Sequence, residues 1–326
     1  MSHRRFLGID AGSISVGAAL LDENRKIVKS AYRFHNGRIH ESLAEIIREM
    51  AADGVDGISV TSSTPRAVHE TGRYDSRICY ITAAAHFHKK AGSILIIGGE
   101  KFGLVRFDEY GEYLNYRSNT SCAAGTGSFL DQQAKRLNLK GIEEFSEISF
   151  RNTGEIPKIA SRCSVFAKTD LIHAQQEGFS IEEICDGLSY GLARNVADTL
   201  FSNANFNPPL IFAGGVSKNK AVVKHIENMA GMKVVTDDFS HLYGAIGAVI
   251  CLMNENMVDR SLKTKKSDDL ILPEKKEKKY HYPVLKLELS DYPVFESRER
   301  YDYASSLYPR TTAVETDIYE KITGHV

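Results

Sequence analysis

Residues 8–13 read Gly-Ile-Asp-Ala-Gly-Ser, and residues 94–99 read Ile-Leu-Ile-Ile-Gly-Gly. An offset of 86 residues (94 minus 8) aligns the two stretches, and the same offset places Asp22 on Asp108. Each copy has the pattern of a strand, a glycine bend, a second strand, an acidic turn and a third strand. The chain therefore carries an internal repeat of a three-stranded meander.

Helices and strands alternate after each meander. The first copy is followed by a predicted helix, strand and helix, near 38–51, 57–61 and 76–90. The second copy is followed by a longer series: helices near 128–138, 164–177 and 181–203, a strand at 210–213, a helix near 218–229, a strand at 233–235 and a helix near 242–255. This order predicts an α/β protein whose two related lobes face each other, and the cleft between them is the expected ligand site.

The predicted domain boundaries follow the repeat. Residues 1–91 form the first lobe, to which the helix at 242–256 returns, and residues 92–241 form the second lobe. From Lys263 to Lys279 the chain is rich in Lys, Asp and Glu without an apolar period, which is typical of a linker. We therefore expect residues 257–326 to be a charged linker and tail.

Composition and charge narrow the functional classes. The 326 residues are 42% hydrophobic and 25% charged, with a formal net charge of −1, so the chain can bury a sizeable core. No Lys/Arg block alternates with aromatic residues, and no apolar stretch reaches the roughly 20 residues that a membrane-spanning helix needs. These features favour small molecules or proteins over nucleic acid or membrane as partners, and they predict a cytoplasmic protein.

The two glycine bends are candidate phosphate-binding hairpins. Gly12, Gly98 and Gly99 let the backbone approach an oxyanion closely. Ser13 can donate a hydrogen bond to the same oxyanion, and Asp10 can hold the water shell of Mg²⁺. Glycine within a strand also marks simple bulges, but the duplication of the bends favours phosphate binding.

A third glycine site follows the strand at 210–213. Gly214, Gly215 and Val216 precede a predicted helix, where the glycines can admit a flat base or a ribose. Asn219 is placed to hydrogen-bond that group. Gly244, near the start of the last helix, completes the predicted nucleotide-binding set.

Cys122 opens the run Cys-Ala-Ala-Gly-Thr-Gly, in which Gly125, Thr126 and Gly127 lead into a predicted helix. Free N–H groups and the positive helix end favour an anion there, such as a phosphate or an anionic cluster. A cysteine at that position is expected to be an acidic, exposed thiol. Cys163 follows 41 positions later (163 minus 122), in Ser-Arg-Cys-Ser-Val-Phe.

The remaining cysteines have a different context. Cys79, Cys185 and Cys251 lie in apolar helical segments, which predicts that they fill core positions. Five scattered cysteines do not look like the disulfide framework of a secreted domain. Reduced thiols or metal ligands are therefore the open alternatives for the other two.

Taken together, the three glycine sites, their order and the Cys-Ala-Ala-Gly-Thr-Gly run resemble the ATP-dependent activators of 2-hydroxyacyl-CoA dehydratases and the ATP-binding subunits of benzoyl-CoA reductase. The resemblance covers roughly residues 5–255. It implies membership of the actin, Hsp70 and sugar-kinase superfamily, in which two ribonuclease-H-like lobes close on ATP or ADP. It also implies that Cys122 and Cys163 ligate one 4Fe-4S cluster shared between two subunits, since a cubane takes four thiolates and a symmetric dimer supplies them.

The partners follow from the same resemblance. A ferredoxin or flavodoxin is the expected electron donor, and an iron–sulfur dehydratase or reductase component is the expected acceptor. The stretches 116–122 and 166–178 look most like the first module of large tandem activase proteins, and the tail 314–326 resembles the lead-in to a second module. The second half of the cluster site is therefore expected from a homodimer or from a tandem activase module.

Two phosphate loops depart from the family pattern. The activators usually read Gly-Ser-Thr-Thr-Thr-Lys where this chain reads Gly-Ser-Ile-Ser-Val-Gly at 12–17, and Asp-Ile-Gly-Gly-Gln-Asp where it reads Ile-Ile-Gly-Gly-Glu-Lys at 96–101. Asp10 and Glu100 are the catalytic candidates, with Glu100 orienting water or magnesium. Lys101 is a candidate for neutralising phosphate. Glu100 and Lys101 are equally consistent with surface positions in a loop.

Two further functions stay open at this point. The altered loops are consistent with a degenerate module that binds nucleotide and docks half of a cluster without turnover. A small-molecule kinase acting on an amino sugar has similar nucleotide loops, but it needs an aspartate base in the cleft, and the sequence offers no convincing candidate besides Asp10.

Overall fold

A computed structural model of the protein describes residues 4–119, 126–160, 164–202, 206–273, 299–305 and 308–316. The chain forms two compact units, Met1–Glu274 and Lys275–Val326. The first unit contains two five-stranded sheets, and the second contains a two-stranded sheet. No helix in the described ranges combines the length and the apolar character that crossing a membrane requires.

The first sheet has the strand order β3-β2-β1-β4-β5. Its meander is antiparallel, while β4 runs parallel to both β1 and β5. Its elements are β1 (Arg5–Ala11), β2 (Ser15–Asp22), β3 (Ile27–Phe34), α1 (Ile39–Met50), β4 (Gly57–Thr61), β5 (Gly72–Tyr74) and α2 (Ser76–Phe87). Apolar residues of β1, β2, β4 and α1 form the core on one face of this sheet.

The second sheet repeats this arrangement with the order β10-β9-β6-β7-β8. The meander β6-β7-β8 is antiparallel, and β9 runs parallel to β6 and β10. Its elements are β6 (Ser93–Ile97), β7 (Phe102–Phe107), β8 (Tyr113–Ser118), α3 (Gly127–Arg136), α4 (Ile142–Phe150), α5 (Ser164–Gln176), α6 (Ile181–Leu200), β9 (Leu210–Ala213), α7 (Lys220–Ala230) and β10 (Val234–Val235). The final helix, α8 (Tyr243–Asn254), follows β10.

The internal repeat is present at the level of single hydrogen bonds. The first glycine bend is closed by Gly12 N donating to Ser15 O at 2.9 Å, and the second by Gly98 N donating to Lys101 O at 2.8 Å. The acidic turns also match. The side-chain Oδ1 of Asp22 and that of Asp108 each accept two backbone N–H bonds, from the residues two and four positions later. The same sequence pattern has therefore folded into the same turn geometry twice.

Helix α8 follows the last strand of the second sheet but packs against β1, β2 and β4 of the first. The approach is close, since a Cβ atom at Gly8 would lie 2.0 Å from Ala245 O. Glycine at position 8 is therefore needed for this packing. A core cluster that includes Leu21, Ile94 and Ile246 joins residues of both sheets around α8.

The predicted linker begins too early in the chain, because the residues at its start belong to the folded unit. Residues 260–264 and 267–270 form short 3₁₀ turns, and Leu262 and Leu270 are buried in the core of the first sheet. His69 N donates to Leu270 O at 2.8 Å. The charged composition of residues 263–279 hid the buried Leu270, so the linker interpretation is wrong for residues 263–273. The residues from 274 to 298 lie outside the described ranges.

In the second unit, β11 (Glu299–Ser305) and β12 (Tyr308–Thr316) pair as an antiparallel hairpin. The sequence predicted only a charged linker and tail in this region, without the hairpin. Two further short elements, β5 and α4, were not predicted either.

Candidate nucleotide-binding site

Asp10 lies near the carboxyl end of β1, beside the end of the parallel strand β4. Thr61 Oγ1 donates to Asp10 Oδ1 at 2.6 Å, and Ser63 Oγ donates to the same oxygen at 3.0 Å. Tyr80 Oη donates to Oδ2 at 3.4 Å. Burial raises the pKa of Asp10, and these hydroxyl bonds oppose the rise. The site therefore holds a carboxyl group that is costly to ionise without a cation.

Gly244, in the first turn of α8, packs directly against this carboxylate. A Cβ atom at position 244 would lie 2.0 Å from Asp10 Oδ2. Any side chain there would displace the carboxylate or the helix. Gly244 is therefore needed for the close packing of α8 on Asp10, and its part in nucleotide binding stays a prediction.

The two glycine hairpins face each other across the lobes. A Cβ atom at Gly99 would lie 2.3 Å from Ile14 Cγ1 and 3.3 Å from Ser13 Oγ. A cavity of about 70 Å³ opens at this junction, and we call it the hairpin cavity. Its walls include Asp10, Gly12, Ser13, Ser15, Tyr32, Tyr80, Gly98, Gly99, Gly215 and His241.

A second cavity of about 180 Å³, which we call the helix cavity, adjoins the first. The two cavities share six wall residues: Ile14, Ser15, Tyr32, Gly98, Gly99 and Gly215. The other walls of the helix cavity come largely from α3, α4 and the start of α7: Phe34, Gly127, Leu130, Asp131, Ile142, Glu143, Ser146, Glu147, Val216, Lys218, Asn219 and Lys220. An elongated ligand can thus pass from the hairpins to these helices.

The turn at Gly214 shapes the helix cavity. Gly214 has φ +93°, and a Cβ atom there would lie 2.4 Å from Ile97 O, so the position needs glycine. Asn219 caps α7, because its Oδ1 accepts from Ala221 N and Val222 N at 3.1 Å each.

The side-chain nitrogen of Asn219 is an unsatisfied hydrogen-bond donor among the described residues. Asn219 is 3% exposed, and its Nδ2 is buried without a hydrogen-bond partner among the described residues. A buried donor without a partner costs about 1–3 kcal/mol. Since Asn219 also lines the helix cavity, a ligand with an acceptor atom would satisfy this donor.

Helix α3 begins against the second hairpin. Gly127 N donates to Gly98 O at 3.0 Å, and Ser128 N donates to Gly99 O at 2.9 Å. Thr126 precedes them and is fully buried. Gly127, the last residue of the Cys122 run, and Ser128 after it are therefore bonded to backbone that lines the hairpin cavity. Cys122, Gly125 and Cys163 themselves lie outside the described residues.

Sequence reasoning missed Tyr32, which lines both cavities. Ser15 Oγ donates to Tyr32 Oη at 2.8 Å, and a Cβ atom at Gly215 would lie 2.3 Å from the same phenol oxygen. The ring therefore reaches from the first lobe to the glycine turn of the second. Period-two alternation in β3 places Tyr32 and Phe34 on one face, but it gives no indication of a cleft.

Asp131 was also missed, although it is a carboxylate in the cleft. Its burial raises the pKa of Asp131 to about 6; Lys135 opposes this effect, and Glu143 adds to it. Asp131 lies in α3, one turn after Gly127, where a Gly-Thr-Gly-x-x-x-Asp spacing was the available signal. An ionisable group with a shifted pKa in a cleft is a functional-site candidate.

Glu100 and Lys101 are exposed, and neither contributes to the walls of the two cavities. Their catalytic and phosphate-binding roles stay predictions. Cys79, Cys185 and Cys251 are buried, as the helical contexts predicted. Within the described ranges, no cluster of three or more His, Cys, Asp or Glu side chains could hold a metal ion.

Two facing lobes with duplicated meanders and a cleft lined by glycine hairpins define the fold of the actin, Hsp70 and sugar-kinase superfamily, as the sequence predicted. The sequence profile of the BadF/BadG/BcrA/BcrD ATPase family matches residues 7–251. The chain belongs to that family.

Similar proteins agree with this assignment. The 2-hydroxyisocaproyl-CoA dehydratase activator of Clostridioides difficile is 25% identical over 256 residues, which cover 76% of this chain and 95% of the relative. The activator of lactoyl-CoA dehydratase of Anaerotignum propionicum is 27% identical over 250 residues, covering 75% and 95%. The solved structure of the Clostridium difficile activator with bound ADPNP has a TM-score of 0.69 at 23% identity, covering 78% of this chain and 95% of that one.

Proposed function

We propose that this chain is an ATP-dependent electron-transfer activator. It binds MgATP between its lobes, carries a 4Fe-4S cluster with a second copy or module, and passes low-potential electrons to an iron–sulfur dehydratase or reductase that acts on acyl-CoA-type substrates. A ferredoxin or flavodoxin supplies the electrons. The observation that carries the proposal is the bonding of the start of α3, where the Cys122 run ends, to the second glycine hairpin.

The residues of the two cavities fit a nucleotide. The hairpin cavity offers backbone at Gly12, Gly98 and Gly99 for the phosphates, and Asp10 would hold Mg²⁺ through water. The base and ribose would occupy the helix cavity, where the unsatisfied Nδ2 of Asn219 can donate to a ring nitrogen. An extended nucleotide would then span the two adjoining cavities.

The cysteine inventory supports the cluster. Three of the five cysteines are buried in α2, α6 and α8, which leaves Cys122 and Cys163 as thiolate donors. Two thiolates per chain make half of a cubane ligand set. When bound, the cluster would supply one-electron transfer, and the second half of the set would come from a homodimer or a tandem module.

The chain's own residues would couple the two sites. Phosphates in the hairpin cavity would contact the backbone near Gly98 and Gly99, whose carbonyls accept from Gly127 N and Ser128 N. A shift of that hairpin on lobe closure would therefore move the start of α3. Hydrolysis would rest on positioning and on charge neutralisation by Mg²⁺.

A second candidate function is nucleotide binding without turnover. Glu100 and Lys101, which stand where the activators carry their amide and carboxylate, do not line the hairpin cavity. The attacking water would then lack an orienting side chain from this loop. Such a chain would dock half of a cluster and leave hydrolysis to another module.

Anaerobic purification separates these proposals. Iron and sulfide would be quantified with the oligomeric state in wild-type protein, in Cys122→Ser and in the control Cys185→Ser, which replaces a buried cysteine of α6. We expect about one cluster per two chains, lost with Cys122→Ser and kept in the control. A colourless wild-type protein would contradict the activator. Bound ATP with no phosphate release would favour the second candidate.

A further inference from the structure

We propose that Asp186 is a positioning residue for the nucleoside part of the nucleotide, because it holds α4 against α7 behind the wall of the helix cavity. The inference rests on the proposed function, since it assumes that this cavity takes a nucleoside. Asp186 lies in α6, does not line the helix cavity and is 4% exposed.

The Asp186 carboxylate is bonded on both oxygens. His225 Nε2 donates to Oδ1 at 2.7 Å, and Asn152 Nδ2 donates to Oδ2 at 3.0 Å. Ser149 Oγ lies 3.5 Å from Oδ1 and 2.9 Å from Ser189 Oγ. The side chain of His225 is 6% exposed, so this bond is buried together with the carboxylate.

These partners belong to the elements that form the cavity wall. Ser149 lies in α4, Asn152 lies just after it, and His225 lies in α7. One turn before Ser149, Ser146 Oγ accepts from Lys220 N at 3.2 Å, and both of those residues line the helix cavity. The two helices are therefore linked once at the cavity surface and again beneath it, through Asp186.

A buried carboxylate is a costly way to join two helices. An apolar side chain of similar volume often gives equal or greater stability, whereas a satisfied polar network can specify one relative placement of its elements. Here the placement decides where Ser146 of α4 stands relative to Asn219, which precedes Lys220 at the start of α7 in the same cavity wall. Asp186 thus acts on the nucleoside through α4 and α7, without contacting it.

Calorimetric titration of the 326-residue chain with ADP tests the inference at a temperature where every variant is folded. Asp186→Asn turns an acceptor into an amide donor that opposes Asn152 Nδ2, and we expect ADP affinity to fall about tenfold. Adding Asn152→Asp restores a donor–acceptor pair, and it should bring the affinity back to within about threefold of wild type.

Ser180→Ala is the matched control, because it removes the capping box at the start of the same helix, with a cost of about 1 kcal/mol, away from the cavity. Its ADP affinity should equal that of wild type. Unchanged affinity in Asp186→Asn, equal loss in Ser180→Ala, or no recovery in the double variant would each overturn the inference. If wild type binds no ADP, the nucleotide assignment fails as well, so the two failures are distinguishable.

Discussion

His88 Nε2 lies 3.2 Å from Asp237 Oδ2, and both side chains contact the hydroxyl of the buried Tyr243. His88 follows α2, where the chain leaves the first sheet, and Asp237 lies where it returns from the second sheet to α8. The two connections between the lobes are therefore joined by one polar cluster.

Tyr243→Phe removes the hydroxyl from this cluster without opening a cavity. We expect the free energy of unfolding to fall by about 1–2 kcal/mol, because a buried bond to a carboxylate is lost. Urea denaturation followed by circular dichroism measures the change. Tyr110→Phe, at an 82% exposed position, is the control and should leave stability unchanged. Equal midpoints for both variants would contradict the structural role of the cluster.

Asp10→Asn should separate stability from function. Because burial raises the pKa of Asp10, the folded protein binds its proton more tightly than the unfolded chain does, so ionisation at neutral pH costs stability. The variant is expected to melt at a higher temperature than wild type without ligand, and to lose Mg²⁺-dependent ATP hydrolysis by about 100-fold or more. A lower melting temperature would mean that the carboxylate stabilises the fold.

Asn219→Asp tests the unsatisfied amide. The carboxylate keeps the cap on Ala221 N and Val222 N but removes the Nδ2 donor. Its melting temperature should fall below that of wild type, because the second carboxylate oxygen is buried without a partner. At a temperature where the variant is folded, ADP affinity should fall about tenfold through the lost donor and the added charge. Asn219→Ala, which loses both the donor and the cap, should be about 1 kcal/mol less stable than wild type. Wild-type ADP affinity in Asn219→Asp would exclude a contact from Nδ2.

Asp131 should impose a pH dependence. Burial raises the pKa of Asp131 to about 6, so the folded protein holds the carboxyl proton more tightly than the unfolded chain, whose pKa is 3.8. The resulting stabilisation is fully present below pH 3.8 and is lost as the pH rises through about 6. Asp131→Asn should therefore gain about 1 kcal/mol over wild type at pH 7.5, after allowance for solvent screening. The gain should vanish near pH 4. Thermal denaturation between pH 4 and 8 measures the difference, and a constant difference across this range would contradict the shifted pKa.

The sequence alone determined the architecture, because the repeat is written in local chemistry. Glycine bends and acidic turns dictate backbone geometry within a few residues, so an 86-residue offset was enough to predict two equivalent meanders, later seen as identical turn bonds at Asp22 and Asp108. The family could be named for the same reason. Each of its motifs, the three glycine sites and the Cys122 run, is a continuous stretch of a few residues.

Only the tertiary structure decided which side chains meet. Thr61 and Ser63 from one segment and Tyr80 from another converge on Asp10, and nothing in their local sequence points to that carboxylate. Tyr32 and Asp131 enter the cleft because the lobes face each other. Leu270 looked like part of a charged linker until the core of the first sheet enclosed it. Contacts between distant segments depend on packing, which a linear pattern does not encode.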